Sequence, residues 1–234
     1  MIAIMRREFT AYFHSPIGYI FLAVFYLFAG FFFFSGSLFG RNADLGGVFE
    51  GLFIIMLFLI PILTMRLMSE ERKNKTDQAL LTAPVSITGM VIGKFLSAAL
   101  VFLMGLCVTL LYAVVVGFFA PAGWPAVLGG FFASLLLGMA MISIGMFISS
   151  LTENQVIAAV GGFAAALGLL LVGVLQTVFQ NPLAVKIIQG ISFYDRYFSF
   201  SLGIFNYSSV LFFLSVCAMF IFLTIRVFEK RRWG

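Results

Sequence analysis

The chain has 234 residues, of which 62% are hydrophobic and 10% charged, and its net charge is +5. Soluble domains are about a quarter charged, and a small fold cannot keep this much apolar surface away from water. A water-soluble domain is thereby excluded, and the chain is expected to be an all-α integral membrane protein forming one transmembrane domain over residues 1–234.

Residues 1–15 read as an interfacial amphipathic helix. Ile2, Met5, Phe9 and Phe13 recur at helical spacing, with Arg6, Arg7, Thr10 and His14 on the other side. Arg6 and Arg7 are followed by Glu8 and then by an apolar run too long for the core of a cleavable signal. Ser15-Pro16 turns the chain into its first span, because proline suits a helix start where its missing N–H has no partner anyway.

A membrane helix needs about 20 mainly apolar residues to cross ~30 Å of hydrocarbon. Six stretches qualify: Ile17–Leu38, Val48–Met68, Phe95–Phe119, Pro125–Ser150, Gln155–Phe179 and Tyr207–Phe228. Pro61 predicts a kink in the second. Glu50, at the start of that span, reads as a carboxylate favoured by the helix dipole.

Lysine and arginine placement sets the orientation. With the N-terminus inside, eleven of the fourteen basic residues fall inside, and Arg41, Lys186 and Arg196 fall outside. The expected topology is therefore N-in/C-in, and the basic balance reflects contact with anionic lipid heads rather than nucleic acid. Residues 180–206 are too polar for a span yet rich in Tyr and Phe, which suits two short re-entrant helices at the outer face before the sixth span.

Spans four and five carry small residues at helical spacing: Gly130, Ser134 and Gly138 in one, Ala158, Gly161, Gly162, Ala165 and Ala166 in the other. Such ridges let backbones approach closely in lipid. They fit either packing within one subunit or a moving seam between two.

The loop at residues 69–88 is long, charged at its start and apolar from about Thr76 to Thr82, with Pro84 ending the short helix. It reads equally as a plain interfacial loop or as a docking knob that offers Leu80 and Leu81 to a soluble partner.

Catalytic constellations are missing from the sequence. Its single histidine, His14, cannot build a zinc-protease pair, and neither a GxSxG elbow nor a GxxxxGK[ST] phosphate loop occurs. Cys107 and Cys217 lie inside apolar runs without a CxxC partner and read as packed thiols. No catalytic residue and no metal site is expected, and the span centres lack the ionisable groups that ion-coupled carriers bury.

The run Ser69-Glu70-Glu71-Arg72-Lys73-Asn74-Lys75-Thr76-Asp77-Gln78-Ala79-Leu80-Leu81-Thr82-Ala83-Pro84-Val85, with Gly93-Lys94 beyond it, resembles the cytoplasmic signature of type-2 ABC exporter permeases. Arg6-Arg7-Glu8-Phe9 leading to Ser15-Pro16-Ile17-Gly18-Tyr19, Arg196-Tyr197-Phe198-Ser199-Phe200 with Gly203, and the closing Arg226 to Trp233 make it similar to gliding-motility (GldF-like) permeases, with NosY-type permeases as cousins. Arg196 stands where such relatives often carry His.

The resemblance implies a permease subunit of an ATP-driven exporter in a bacterial inner membrane. It implies a separate cytoplasmic ABC ATPase that binds ATP and Mg, a second permease chain identical or paralogous, and an extracytoplasmic auxiliary protein. It further implies that residues 69–88 hold a coupling helix, which Glu70, Glu71 and Arg72 orient. Thr76, Asp77, Leu80, Leu81 and Pro84 dock it. Ala158, Gly161, Gly162, Ala165 and Ala166 line the dimer seam, and Asp195, Arg196, Phe198 and Gly203 belong to the outer re-entrant region. A non-transporting membrane scaffold is the alternative, favoured by the charge-poor spans.

Overall fold

The computed structural model describes residues 1–40, 43–75, 86–119, 123–178, 188–201 and 206–233. The described residues form α1 (Ile2–His14), α2 (Pro16–Phe33, running on as a π-helix over Phe34–Phe39), α3 (Gly46–Thr64), α4 (Arg66–Lys73), α5 (Ile87–Gly117), α6 (Trp124–Leu151), α7 (Gln155–Val178), α8 (Phe193–Ser201) and α9 (Tyr207–Trp233). Among the described residues, six helical stretches are long and apolar enough to cross a membrane: α2 with its π-helix, α3 with α4, and α5, α6, α7 and α9.

The spans start and stop close to the expected positions, with one informative exception. α5 begins at Ile87, eight residues before the expected Phe95, with Ser86 capping it by accepting a hydrogen bond from the Gly89 N–H (3.2 Å). The early start winds Lys94 into the helix and buries it, with 1% of its side chain exposed.

The second span breaks near the expected kink. Pro61 lacks an N–H, and the Thr64 hydroxyl donates to the carbonyls of Ile60 (3.0 Å) and Pro61 (3.3 Å). α3 ends at Thr64, and α4 restarts at Arg66 after the single residue Met65.

α6 is the central post and packs against α3, α4, α5, α7, α8 and α9. Within the most apolar windows, 61% of residues are buried in the second and fourth spans but only 17% in the fifth and sixth. α3 and α6 therefore form the core, while α7 and α9 turn most of their surface outward. The small ridge of α6 accepts rings from its neighbours. A Cβ on Gly130 would lie 2.5 Å from the Phe49 ring of α3, one on Gly138 would strike Phe102 of α5, and Ser134 faces Tyr197 of α8.

Successive spans alternate in direction, so α1 and the end of α9 share one end of the bundle with α4, the start of α5 and the α6–α7 turn. This charged end carries most of the ionisable side chains. The opposite end, among the described residues, carries Asp44, Glu50, Asp195 and Arg196.

Candidate functional site at the charged end

α4 is the root of the 69–88 loop, and α1, α5, α6 and the α6–α7 turn are all tied to it. As the second span restarts at Arg66, its first N–H groups lack helical partners. Ser149 of α6 meets this need from outside. Its hydroxyl accepts from the N–H of Met68 (3.2 Å) and Ser69 (3.1 Å), and donates to the Met65 carbonyl (2.9 Å). One buried serine thus splices α3 to α4.

Beside the splice lies a quartet of charges. Lys94 Nζ donates to the Leu67 carbonyl (2.8 Å) and sits 3.0 Å from Glu71 Oε1 and 3.5 Å from Glu8 Oε1. Arg7 approaches the same two oxygens from the solvent side, at 2.6 Å from Glu8 and 2.9 Å from Glu71. Two cations and two anions balance, which is the condition under which charges tolerate burial. Hydrogen bonding to Glu8 in particular holds the Arg7 guanidinium above its ordinary range. The quartet joins α1, α4 and α5, so the helices entering and leaving the 69–88 loop are bonded to each other.

The other side of α4 faces the α6–α7 turn. Arg72 bridges to Glu153 (3.0 Å) and donates to the Ser150 carbonyl (3.4 Å), to which Arg231 of α9 also donates (2.7 Å). Arg66 pairs with Glu70 one turn on (2.8 Å), bonds the Ser15 hydroxyl and lies over the Tyr12 ring at 5.8 Å. Tyr12 itself is buried, which pushes its phenol up, and donates to the Leu63 carbonyl (2.9 Å). α4 ends in a turn where Lys75 takes a left-handed φ of 55°, unusual for a residue with a side chain.

Glu70, Glu71 and Arg72, the expected orienting residues, therefore meet separate sets of partners: Arg66, then Arg7 and Lys94, then Glu153 and the Ser150 carbonyl. Thr76, Asp77, Leu80, Leu81 and Pro84 lie outside the described residues. Reading the sequence missed Lys94, Glu8, Arg7 and Ser149. Gly93-Lys94 belongs to the cytoplasmic signature and Arg7-Glu8 to the entry motif, but neither pattern gives these residues a part in bracing the loop.

The residues expected at a dimer seam sort differently. Ala158, Gly162 and Ala166 are buried within this chain, and a Cβ on Gly162 would come 2.9 Å from Pro61 of α3. A Cβ on Gly161 would meet Ile148 of α6 at 2.8 Å, and Ala165 is half-buried against the same core. The ridge thus packs α7 onto its own bundle, while Val156, Val160, Leu167 and Leu171 face outward.

At the far end Tyr197 pins α8 to the core. It donates to the Phe49 carbonyl (2.6 Å) and shares a 3.1 Å bond with Ser134. Tyr194 donates to Glu50 (3.2 Å) and stacks on Phe198 (centroids 5.8 Å apart). Burial, then the Glu50 carboxylate, push the Tyr194 phenol up. The Asp195 N–H bonds the Ser192 hydroxyl (3.3 Å). Arg196 donates to the Gly190 carbonyl (2.7 and 3.0 Å) and to Ser208 (3.2 Å), and lies 4.3 Å over Phe212. Gly203 lies outside the described residues.

Among the described residues no group of three His, Cys, Asp or Glu side chains gathers where a metal ion could sit. The charged end is built to hold helices together at the root of a loop.

Six apolar spans, five of them around the central α6, with most charges drawn to one end, define a multi-pass membrane protein. The family model for ABC-2 family transporter proteins matches residues 2–233, and the chain belongs to that family of membrane permeases. Comparison with curated proteins gives no match.

Proposed function

We propose that the chain is the permease subunit of an ATP-driven exporter, powered by a separate cytoplasmic ABC ATPase that docks on residues 69–88. The observation that carries this reading is the bracing of α4, through Lys94 and Ser149, in a chain of the ABC-2 family. A loop that receives thrust needs a stiff root, and α4 is bonded to α1, α5 and α6.

On this reading the charged end faces the cytoplasm in a bacterial inner membrane. ATP and Mg are held by the partner, and the short helix expected at 76–82 is the coupling helix. A second permease chain, identical or paralogous, completes the transporter against the outward side of α7, while α8 caps the outer face with an extracytoplasmic auxiliary protein nearby. The gliding-motility subfamily is the reading we favour. Thrust on the loop would move α4 together with α1 and α5, and through Arg72 and Glu153 the α6–α7 turn. The Phe-rich spans, poor in charge at their centres, suit an amphiphilic or polymeric cargo, or a mechanical link to an extracytoplasmic partner.

The test is purification of the tagged chain in mild detergent, with identification of copurifying proteins and an ATPase assay. A stoichiometric phosphate-loop ATPase with vanadate-sensitive activity is expected, and Leu80→Pro should release it while the chain still inserts. A chain that elutes without an ATPase points instead to a membrane scaffold.

A further inference from the structure

α1 carries Arg6, Arg7 and Glu8 in succession, so by sequence alone its charge is mixed. The fold exposes these charges unequally, although Arg7 and Glu8 stay paired at 2.6 Å. Glu8 turns inward to Lys94 and keeps 17% of its side chain exposed, whereas Arg7 keeps 55%. Ile4, Phe9 and Phe13 pack on the bundle, and Ile2, Ala3, Arg6, Arg7, Thr10 and His14 remain on the outward side. Ile2 therefore departs from the expected apolar stripe and joins the basic face.

That face is an open surface formed by Ile2, Ala3, Arg6, Arg7, Thr10, Ala11 and His14. Its chemistry is two guanidinium groups, an imidazole and a hydroxyl over small apolar side chains, with no carboxylate among the lining residues. Arg7 bonds Glu8 and Glu71 through Nε and Nη2, which leaves Nη1 for an outside acceptor. The last turn of α1 meets the first turn of α2 where the Phe13 ring lies edge-on to Tyr19 (centroids 5.5 Å apart). From there Tyr19 and Ile20 are 60% and 54% exposed on the outer surface of the first span. The helix that carries the cations thus joins, at Phe13 and Tyr19, an exposed apolar surface on a membrane-crossing helix.

We propose that the outward face of α1 is a binding site for an anionic phospholipid, with Arg6 and Arg7 holding the headgroup phosphate and an acyl chain lying against Tyr19 and Ile20. Guanidinium groups suit phosphate because their paired donors match its oxygens. The adjoining apolar surface favours a lipid over a free anion, since only a lipid fills both parts. Glu8 and Glu71 hold Arg7 from its inner side while Arg6 stays exposed, so the buried quartet and the lipid site are two sides of one helix. Neither half depends on an ATPase.

The experiment is native mass spectrometry of the full chain in neutral detergent. Phosphatidylglycerol and phosphatidylcholine are titrated in parallel, and inorganic phosphate is the competitor. Wild type should retain phosphatidylglycerol preferentially. Arg6→Gln, on the exposed face, should lower that preference about fivefold, and Arg6→Gln/Arg7→Gln by roughly twenty-five-fold. Arg226→Gln, a 63% exposed arginine at the same end, should leave it unchanged. Because Arg7 also braces Glu71, Arg6→Gln alone decides the matter if the double variant unfolds. Equal lipid preference in wild type and Arg6→Gln overturns the proposal, as does an equal loss in Arg226→Gln. Displacement of the lipid by millimolar phosphate would show a free-anion site and overturn it too.

Discussion

Glu71 lies at the start of the 69–88 loop and Lys94 just beyond its end, and their charged atoms are 3.0 Å apart with the lysine side chain fully enclosed. The loop is therefore closed at its base by an ion pair between the helix that enters it and the helix that leaves it. Glu8 and Arg7 add the N-terminal helix to the same junction.

Lys94→Met should destabilise the chain by about 3–5 kcal/mol, because two carboxylates are left on one side of the quartet with only Arg7 to face them. Lys94→Met/Glu71→Gln/Glu8→Gln should recover much of this loss. It removes the uncompensated charges, and Arg7, more than half exposed, can turn to water. Thermal unfolding in detergent measures both. Equal midpoints for the single and triple variants would mean that Lys94 acts through its packing alone.

Tyr197→Phe should cost roughly 1–3 kcal/mol, the range for breaking buried hydrogen-bond partners. The phenol is the link between α8, the Phe49 carbonyl of α3 and Ser134 of α6. Ser134→Ala should cost less, since the 2.6 Å bond to Phe49 survives it. The order of the two melting temperatures is the check, together with faster proteolysis near residues 188–201 in Tyr197→Phe.

The spans were legible because lipid imposes one requirement, about 20 apolar residues in a row, and polar breaks between runs are hard to disguise. Pro61 was legible for the same local reason, as its missing N–H acts within one turn. Lys94 was not. In sequence it is a cation bordering an apolar run, the usual mark of a span's edge, and its burial is decided by Glu71 and Glu8, which are distant in the chain. The ridge Ala158, Gly162 and Ala166 was visible as a close-packing surface, but spacing carries no information on what it packs against. Here the partner is Pro61 of the same chain. Ser149 gave no signal at all, because its role exists only where α3 breaks.

Gly162→Val should push α7 from α3 and destabilise by about 1–3 kcal/mol, the range for overpacking a tight contact. Gly168→Ala on the same helix meets open space and should be neutral or slightly stabilising, because alanine holds a helix better than glycine. Melting temperatures of the two variants separate the inward and outward faces of α7. A neutral Gly162→Val would mean that this ridge does not bear on the chain's own core.

The proposed orientation makes the ends of α3–α4 chemically distinguishable. Asp44 precedes α3 at the sparsely charged end, and Asn74 follows α4 at the charged end. In a chain whose Cys107 and Cys217 are replaced by serine, Asp44→Cys should react with a membrane-impermeant maleimide added to intact cells. Asn74→Cys should react only after permeabilisation. The physical basis is the bias of arginine and lysine toward the cytoplasmic side, which places Arg66, Arg72 and Lys73 inside together with the loop they introduce. Labelling of Asn74→Cys in intact cells would invert the topology and put residues 69–88 out of reach of any cytoplasmic ATPase. It would leave the Lys94 quartet and the Ser149 splice unchanged, but would remove the functional reading placed on them.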